Sequence, residues 1–351
     1  MKSSSDAGSM GDLVIRAAGP SDGPAILGLV KRSLGEGQIP RDPVYWSWKH
    51  ERNPFGPSAI LVAEADGRLV GLRVFLRWRW AAGGRQVDAV RAVDTATHPE
   101  WQGRGIFSRL TLALVEQMTQ EGVALVFNTP NQKSGPGYLK MGWSAVGRMA
   151  MWVRPMRPLR LVGAWLRPER AAKSDHPGRG AAADFASPGA LLDQAGAADL
   201  LARSVGVDRR LVTALTPAYL QWRYVDVPAF EYHAAWTFRG GEGAAVVFRF
   251  KRQGSLRELR LCEVMAAPSA ESIRLGARLV RDIVRRAEAD YASAMGARGA
   301  PEQRVLVLAG FLPIPRTAPL LTARPLCRDG VEIDPLQAAS WRLSIGTLEL
   351  F

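Results

Sequence analysis

Apolar positions recur along the chain in two rhythms, every second residue for strands and every third or fourth for helices. Residues 1 to 11 are rich in Ser and Gly, offer little to bury, and are expected to be disordered. Leu13 to Ala17 predicts a short strand, and Ser21-Asp22 followed by Ile26, Leu29 and Val30 predicts a capped amphipathic helix. Pro43, Val44, Tyr45, Trp46, Ser47 and Trp48 open an aromatic helix that runs through His50 and stops at Asn53-Pro54. Ser58 to Ala65 and Arg68 to Trp80 predict a hairpin turning at Asp66-Gly67, and Gly83-Gly84 turns into a third strand, Gln86 to Thr97. That run stops at Pro99, passes Gly103 and Gly105, and opens a helix marked by Leu110, Leu114 and Met118 and ended by Gly122. A buried strand from Val123 to Phe127, an irregular helix within Asn131 to Met141, and a strand pair from Gly142-Trp143 to Val153 complete one α/β unit.

Residues 155 to 181 change character, with Arg154, Arg157, Arg160, Arg167 and Arg170 among apolar residues before Pro and Gly accumulate. This is a basic linker, serving as a strap over the first unit or as an amphipathic anchor on an anionic membrane surface. The second half echoes the first. Pro217 to Tyr224 repeats the pattern of Pro43 to His50, and Leu256 to Ala266 resembles the strand ending at Thr97, with Pro268 in the place of Pro99. Ile273, Ala277, Val280 and Val284 mark the following helix. Gly142-Trp143 and Gly310-Phe311 lie 168 positions apart. The tail, Trp341 to Phe351, alternates like one more strand.

The formal charge of +13 favours anionic partners, but the arginines are spread over the whole length and form no block. Nucleic-acid binding would rest on charge alone, since no reading helix or aromatic RNA platform is visible. Two cysteines cannot build a structural zinc site, and His50, His98, His176 and His233 lack ligand spacing, so no metal is expected. No apolar run approaches a membrane span and no signal core is seen, which predicts a cytoplasmic protein.

Chemistry concentrates between Val93 and Leu110. Glycines at a helix start let a ligand approach the backbone, and the first turn offers N–H groups without intrahelical partners, so this stretch is an anion cradle. Gln102-Gly103-Arg104-Gly105-Ile106-Phe107 is similar to the Gln/Arg-x-x-Gly-x-Gly/Ala pyrophosphate loop of the GNAT superfamily of acyl-CoA N-acyltransferases. Asn131, Ser134, Tyr138, Lys140, Gly142 and Trp143 fall on that family's second segment, Asn-x-x-Ala-x-x-Leu-Tyr-x-Lys-x-Gly-Phe. Residues 12 to 155 thus resemble a catalytic GNAT domain, and residues 182 to 328 a degenerate copy after the linker at 156 to 181 and before the tail at 329 to 351. The fold implied is α/β of the α+β type, two tandem units, each a mixed, mostly antiparallel twisted sheet flanked by helices.

The resemblance implies acetyl-CoA, or another acyl-CoA, as donor. Gln102, Gly103, Arg104, Gly105, Ile106, Phe107 and Ser108 would bind its pyrophosphate, Ala96, Thr97 and His98 its pantetheine arm, and Asn131 would order pantetheine or a water. Phe107 departs from the pattern, and its ring must turn towards the core. Tyr138 matches the tyrosine that protonates the departing thiolate. Asp94 is the first candidate for general base and His98 the second. Tyr45 and Trp48 either shape the acceptor site or pack the core. The counterpart loop at Ser269 to Ile273 has no glycine and Leu306 stands where Tyr138 would, so catalysis is assigned to the first unit. The acceptor is a small-molecule primary amine attacking directly in a ternary complex. The alternatives are an acidic acyl carrier protein or a longer acyl-CoA as donor, or a non-catalytic CoA-binding module.

Overall fold

The computed structural model describes residues 13–34, 40–166, 185–206, 208–228, 230–315, 317–327 and 333–348. The expected disordered N-terminus, most of the basic linker and the last residues of the tail lie outside them. The first half contains β1 (Val14–Ala17), α1 (Gly23–Leu34), α2 (Pro43–His50), β2 (Ala59–Ala65), β3 (Arg68–Ala82), β4 (Arg85–Thr97), α3 (Ile106–Gln120), β5 (Leu125–Asn128), α4 (Gly135–Lys140), β6 (Ser144–Arg148), β7 (Met151–Pro155) and α5 (Pro158–Leu166). There follow α6 (Pro188–Leu192), α7 (Ala197–Val205), β8 (Leu211–Thr213), α8 (Pro217–Leu220) with a π turn over Gln221–Val225, β9 (His233–Arg239), β10 (Glu242–Gln253) and β11 (Leu256–Ala266). The chain continues through α9 (Ala270–Arg286), β12 (Tyr291–Met295), α10 (Pro301–Leu308), β13 (Leu312–Ile314), β14 (Leu320–Pro325), β15 (Trp341–Arg342) and α11 (Ile345–Leu348).

The β2–β3 turn is built as its sequence demands, with Asp66 and Gly67 both at positive φ, 50° and 69°, the geometry of a two-residue primed turn. The strands assemble into two mixed, mostly antiparallel sheets flanked by helices. The first runs β1-β2-β3-β4-β5-β14-β6, with β8 and β15 attached beside the far end of β3, and the second runs β13-β7-β12-β11-β10-β9.

The expected pairing of the two strands between Gly142 and Val153 does not occur. β6 stays in the first sheet, while β7 crosses into the second and pairs with β12 and β13. In return β14 crosses into the first sheet between β5 and β6. Each exchanged strand carries an arginine that caps a helix of the half it joins, Arg324 donating to Met141 O at the end of α4 and Arg154 to Ala309 O at the end of α10. The tail is also corrected. Its strand lasts only Trp341–Arg342, and Ile345–Leu348 is a helix whose carbonyls at Thr347 and Leu348 accept from the buried Arg91.

The two segments that echo each other in sequence meet face to face. Trp48 and Trp222 stack with centroids 5.2 Å apart and planes 18° apart. Each indole N–H donates to the other residue's carbonyl, at 2.6 Å from Trp48 and 2.7 Å from Trp222. Both indoles are buried. Such a pair satisfies its own polar atoms, which is the condition for burying Trp without loss.

On the opposite face of the first sheet α3 lies directly on β3, because Gly71 has no side chain. A Cβ there would sit 2.5 Å from Ile106 Cγ2 and 2.9 Å from Leu110 Cδ1. Gly71→Val should therefore destabilise the protein by about 1–3 kcal/mol in urea denaturation, the usual cost of overpacking, and lift the start of α3 with the loop before it. Trp48→Ala should cost about 3–5 kcal/mol in the same measurement.

Candidate active site

The cradle forms as its glycines require. Gly103 and Gly105 adopt φ of 76° and 75°, and no atom lies within 4 Å of a Cβ built on either, so the backbone faces open space. Gly105 is the N-cap of α3, and its carbonyl accepts the first helical bond from Arg109 N at 3.0 Å. The N–H groups of the first helical turn, from Ile106 on, have no carbonyl behind them in the helix and point into that space. Arg104 is held at the rim, its guanidinium 4.6 Å from the centroid of Trp101. Gln102 donates to Thr97 O at 3.3 Å, tying the loop to the end of β4. Ile106 is buried, Ser108 half-buried, and the Phe107 ring turns inward as expected, edge-on to Tyr138 at 5.5 Å.

Beside the cradle the first sheet opens. β4 and β5 are parallel and paired only at Ala89↔Leu125, Val90↔Val126 and Arg91↔Phe127. Beyond them β4 continues to Thr97 on β3 alone, and His98 N still donates to Val70 O at 2.9 Å. The β5-facing edge of Asp94 to Thr97, with Ala96 buried and Thr97 half-buried, has no strand beside it among the described residues, and apart from the Thr97 carbonyl, which accepts from Ser33 Oγ at 3.1 Å and from Gln102, its backbone is open to pairing with an extended ligand. The widening begins at a bulge: Arg73 pairs with Thr95 and Val74 with Val93, leaving Asp94 as the extra residue, at φ of 20°.

The bulge turns Asp94 onto α2. Lys49 Nζ lies 2.6 Å and His50 Nε2 3.1 Å from Asp94 Oδ2. Burial would raise the carboxyl pKa, but the Lys49 charge and the His50 hydrogen bond hold it well below the usual range. Burial also lowers the His50 pKa, outweighing Asp94, which fits a neutral imidazole donating to Asp94 and accepting at Nδ1 from the Ser58 hydroxyl at 3.0 Å. A carboxylate held in this way is a weak proton acceptor, which counts against Asp94 as general base. His98, the second choice, is half-buried at the end of β4 with Glu100 Oε2 3.9 Å away.

Tyr138 is buried on α4, and its hydroxyl accepts from Arg73 Nη2 at 2.6 Å. Asn131 is exposed and spends its carbonyl oxygen locally, accepting from Lys133 N, Ser134 N and Ser134 Oγ. Of the two residues proposed to shape the acceptor site, Trp48 is closed off entirely and serves the contact with Trp222, while Tyr45 is buried against Trp48 at 5.2 Å. Lys49, His50 and Arg73 were not singled out in the sequence. Lys49 and His50 look like an ordinary polar helix end, and Arg73 shares its side of β3 with Arg77 and Arg79, so nothing local distinguishes the buried arginine from the other two.

The counterpart position in the second half is filled by the protein itself. Ser269 and Ser272, at the start of α9, donate their hydroxyls to Glu242 Oε2, and Arg203 Nη2 lies 3.1 Å from Oε1. These partners lower the Glu242 pKa to about 2. A carboxylate thus occupies the helix start where the first half leaves space for an anion. The second sheet has its own bulge at Cys262, since Val247 pairs with Glu263 and Phe248 with Leu261. Glu263 next to it is buried and accepts from Tyr224 Oη at 2.6 Å and Ser344 Oγ at 2.9 Å. Burial outweighs these donors and pushes its pKa up to about 7. Among the described residues no helix is long and apolar enough to cross a membrane, and no group of three His, Cys, Asp or Glu side chains could hold a metal ion.

Residues 14–146 match the family model described as an acetyltransferase (GNAT) domain. No curated protein matches the chain in sequence. Solved structures similar to it include a GCN5-related N-acetyltransferase from Anabaena variabilis, at 13% identity and a TM-score of 0.59 over 90% of this chain and 73% of that one. A GCN5-related N-acetyltransferase from Kribbella flavida is 18% identical with a TM-score of 0.56, covering 90% and 72%. Eis1 from Mycobacterium abscessus is 16% identical with a TM-score of 0.54, covering 90% and 73%. At these identities the likeness is one of fold, and it extends across both halves.

Glu263 gives a pH test. Its folded pKa is raised above the unfolded value, so its contribution to stability is present below about pH 4.5 and is lost as pH rises through 7. Glu263→Gln keeps an uncharged acceptor at every pH. Its stability relative to the wild type should rise between pH 5 and pH 8, by on the order of 3 kcal/mol at most, in paired urea titrations.

Proposed function

We propose that this chain, whose residues 14–146 belong to the GNAT acetyltransferase domain family, transfers an acetyl group from acetyl-CoA to a primary amine of a small molecule. The observation that carries the reading is the conjunction of an open glycine turn at the start of α3 with a strand edge at Asp94–Thr97 that β5 leaves unpaired and a buried tyrosine on α4. The N–H groups of Gly103 to Ser108 and the Arg104 guanidinium receive the pyrophosphate, each charge-assisted bond contributing roughly 1.5–3 kcal/mol. The edge of β4 pairs with the amides of pantetheine and aligns the thioester with the bulge.

The neutral amine attacks the thioester carbonyl carbon, the C–N bond forms, and the tetrahedral adduct collapses with breakage of the C–S bond. The leaving thiolate takes the phenolic proton of Tyr138, and the amine's surplus proton passes to water. Asp94 contributes by fixing α2 through Lys49 and His50. Only the first half performs this chemistry, because Glu242 fills the corresponding helix start in the second.

Isothermal titration with acetyl-CoA should give binding that Gly105→Val weakens at least tenfold; absence of binding by the wild type would remove the reading. Turnover over a panel of amino sugars, polyamines and amino acids should show intersecting initial-velocity patterns. Tyr138→Phe should lower kcat by about a hundred- to ten-thousandfold with acetyl-CoA affinity unchanged. Comparing acetyl, longer acyl and carrier-bound donors fixes the donor, and binding without turnover of any amine would make the protein a CoA-binding module.

A further inference from the structure

Arg73 is the least expected group near the bulge. It is only 1% exposed, and among the described residues no carboxylate pairs with it. Its guanidinium lies instead among three aromatic rings, with its carbon 5.1 Å from the centroid of Phe75, 5.6 Å from Phe107 and 5.3 Å from Tyr138. Nη2 donates to Tyr138 Oη at 2.6 Å and Nη1 to Val93 O at 3.3 Å, while Nε has no partner. Burying a cation without a counter-ion is costly, and an apolar residue of similar volume fills such a space at lower cost. Packing alone therefore gives no reason for an arginine here.

We propose that Arg73 is a positioning residue for the acid step, acting through Tyr138. The inference rests on the reading of Tyr138 as the proton donor. Because the guanidinium donates to the phenol oxygen, the hydroxyl hydrogen must point away from Arg73 and is available to another acceptor. When the thiolate takes that proton, the O–H bond breaks and an S–H bond forms, and the phenolate left behind faces a permanent cation already in contact with it. The charge lacking a partner in the resting protein gains one in the step after C–S cleavage, and water then returns a proton to the phenolate. Phe107 has a part in this. Its ring occupies the place where the family pattern has a small residue, stands edge-on to Tyr138, and helps cover the guanidinium from solvent. The ring also explains Gly137, where a Cβ would come within 3.1 Å of Phe107 Cε1.

The test is a double-mutant cycle in the full chain with acetyl-CoA and an amine that it turns over. Arg73→Met should lower kcat about 10- to 100-fold, the range for loss of a charge-assisted hydrogen bond, with KM for acetyl-CoA changed less than twofold. Arg73→Lys should restore most of that loss. In the Tyr138→Phe background Arg73→Met should have no further effect on kcat. An unchanged kcat in Arg73→Met, or an equal loss in both backgrounds, overturns the proposal while leaving Tyr138 as the acid. Wild-type kcat in Tyr138→Phe alone overturns the acid assignment, and this inference with it. If Arg73→Met does not fold by circular dichroism, Arg73→Gln carries the same cycle.

Discussion

The exchange of one strand between the two sheets is the constraint on which the remaining structure depends. β7 completes the second sheet and β14 completes the first, so neither half can close its core without the other. The connection between β6 and β7 is only Met149-Ala150, too short to hold a domain apart, and it turns what would be a hairpin into a crossing. Arg324 and Arg154 each cap a helix of the half that their strand joins. The stacked Trp48 and Trp222, with reciprocal indole bonds, fix the contact elsewhere. Because α2 carries Trp48 at the contact and Lys49 and His50 at Asp94, the packing of the halves and the geometry of the bulge are set by one short helix.

Within that frame the buried charges are handled in three different ways. Asp94 is compensated by Lys49 and His50 and remains ionised. Glu263, whose donors among the described residues are the Tyr224 and Ser344 hydroxyls, has its pKa pushed up to about 7 by burial. Arg73 has aromatic faces and a phenol but, among the described residues, no carboxylate beside it. The two helix starts differ by the same logic. The one after Gly105 is left open, and the one after Ser269 is closed by Glu242, which makes the asymmetry between the halves a matter of where one carboxylate sits.

The cradle was legible because it is local. Positive φ at Gly103 and Gly105 is a property that only a few residue types tolerate, and the helix after them is written in Leu110, Leu114 and Met118. The hairpin at Asp66-Gly67 and the inward turn of Phe107 were readable for similar reasons. The roles of Trp48 and Arg73 were not. Trp48 can pack in a core or line a pocket with the same neighbours in sequence, and its partner is 174 residues away. Arg73, Arg77 and Arg79 follow one alternation, and only the first is buried, under Phe107 of α3 and Tyr138 of α4.

By itself, then, the sequence determined most elements of the first half, the glycine turn that opens α3, the echo between the halves and the absence of glycine at the matching helix start, because turn chemistry, periodicity and helix capping act over a few residues. Tertiary structure alone decided which sheet β7 and β14 would join, that the tail would turn from strand to helix over Tyr224 and Glu263, and that a bulge would bring Asp94 to Lys49. Strand pairing and charge compensation depend on partners far along the chain, and an alternating run such as Met151 to Val153 satisfies either sheet equally well until the whole fold supplies its neighbours.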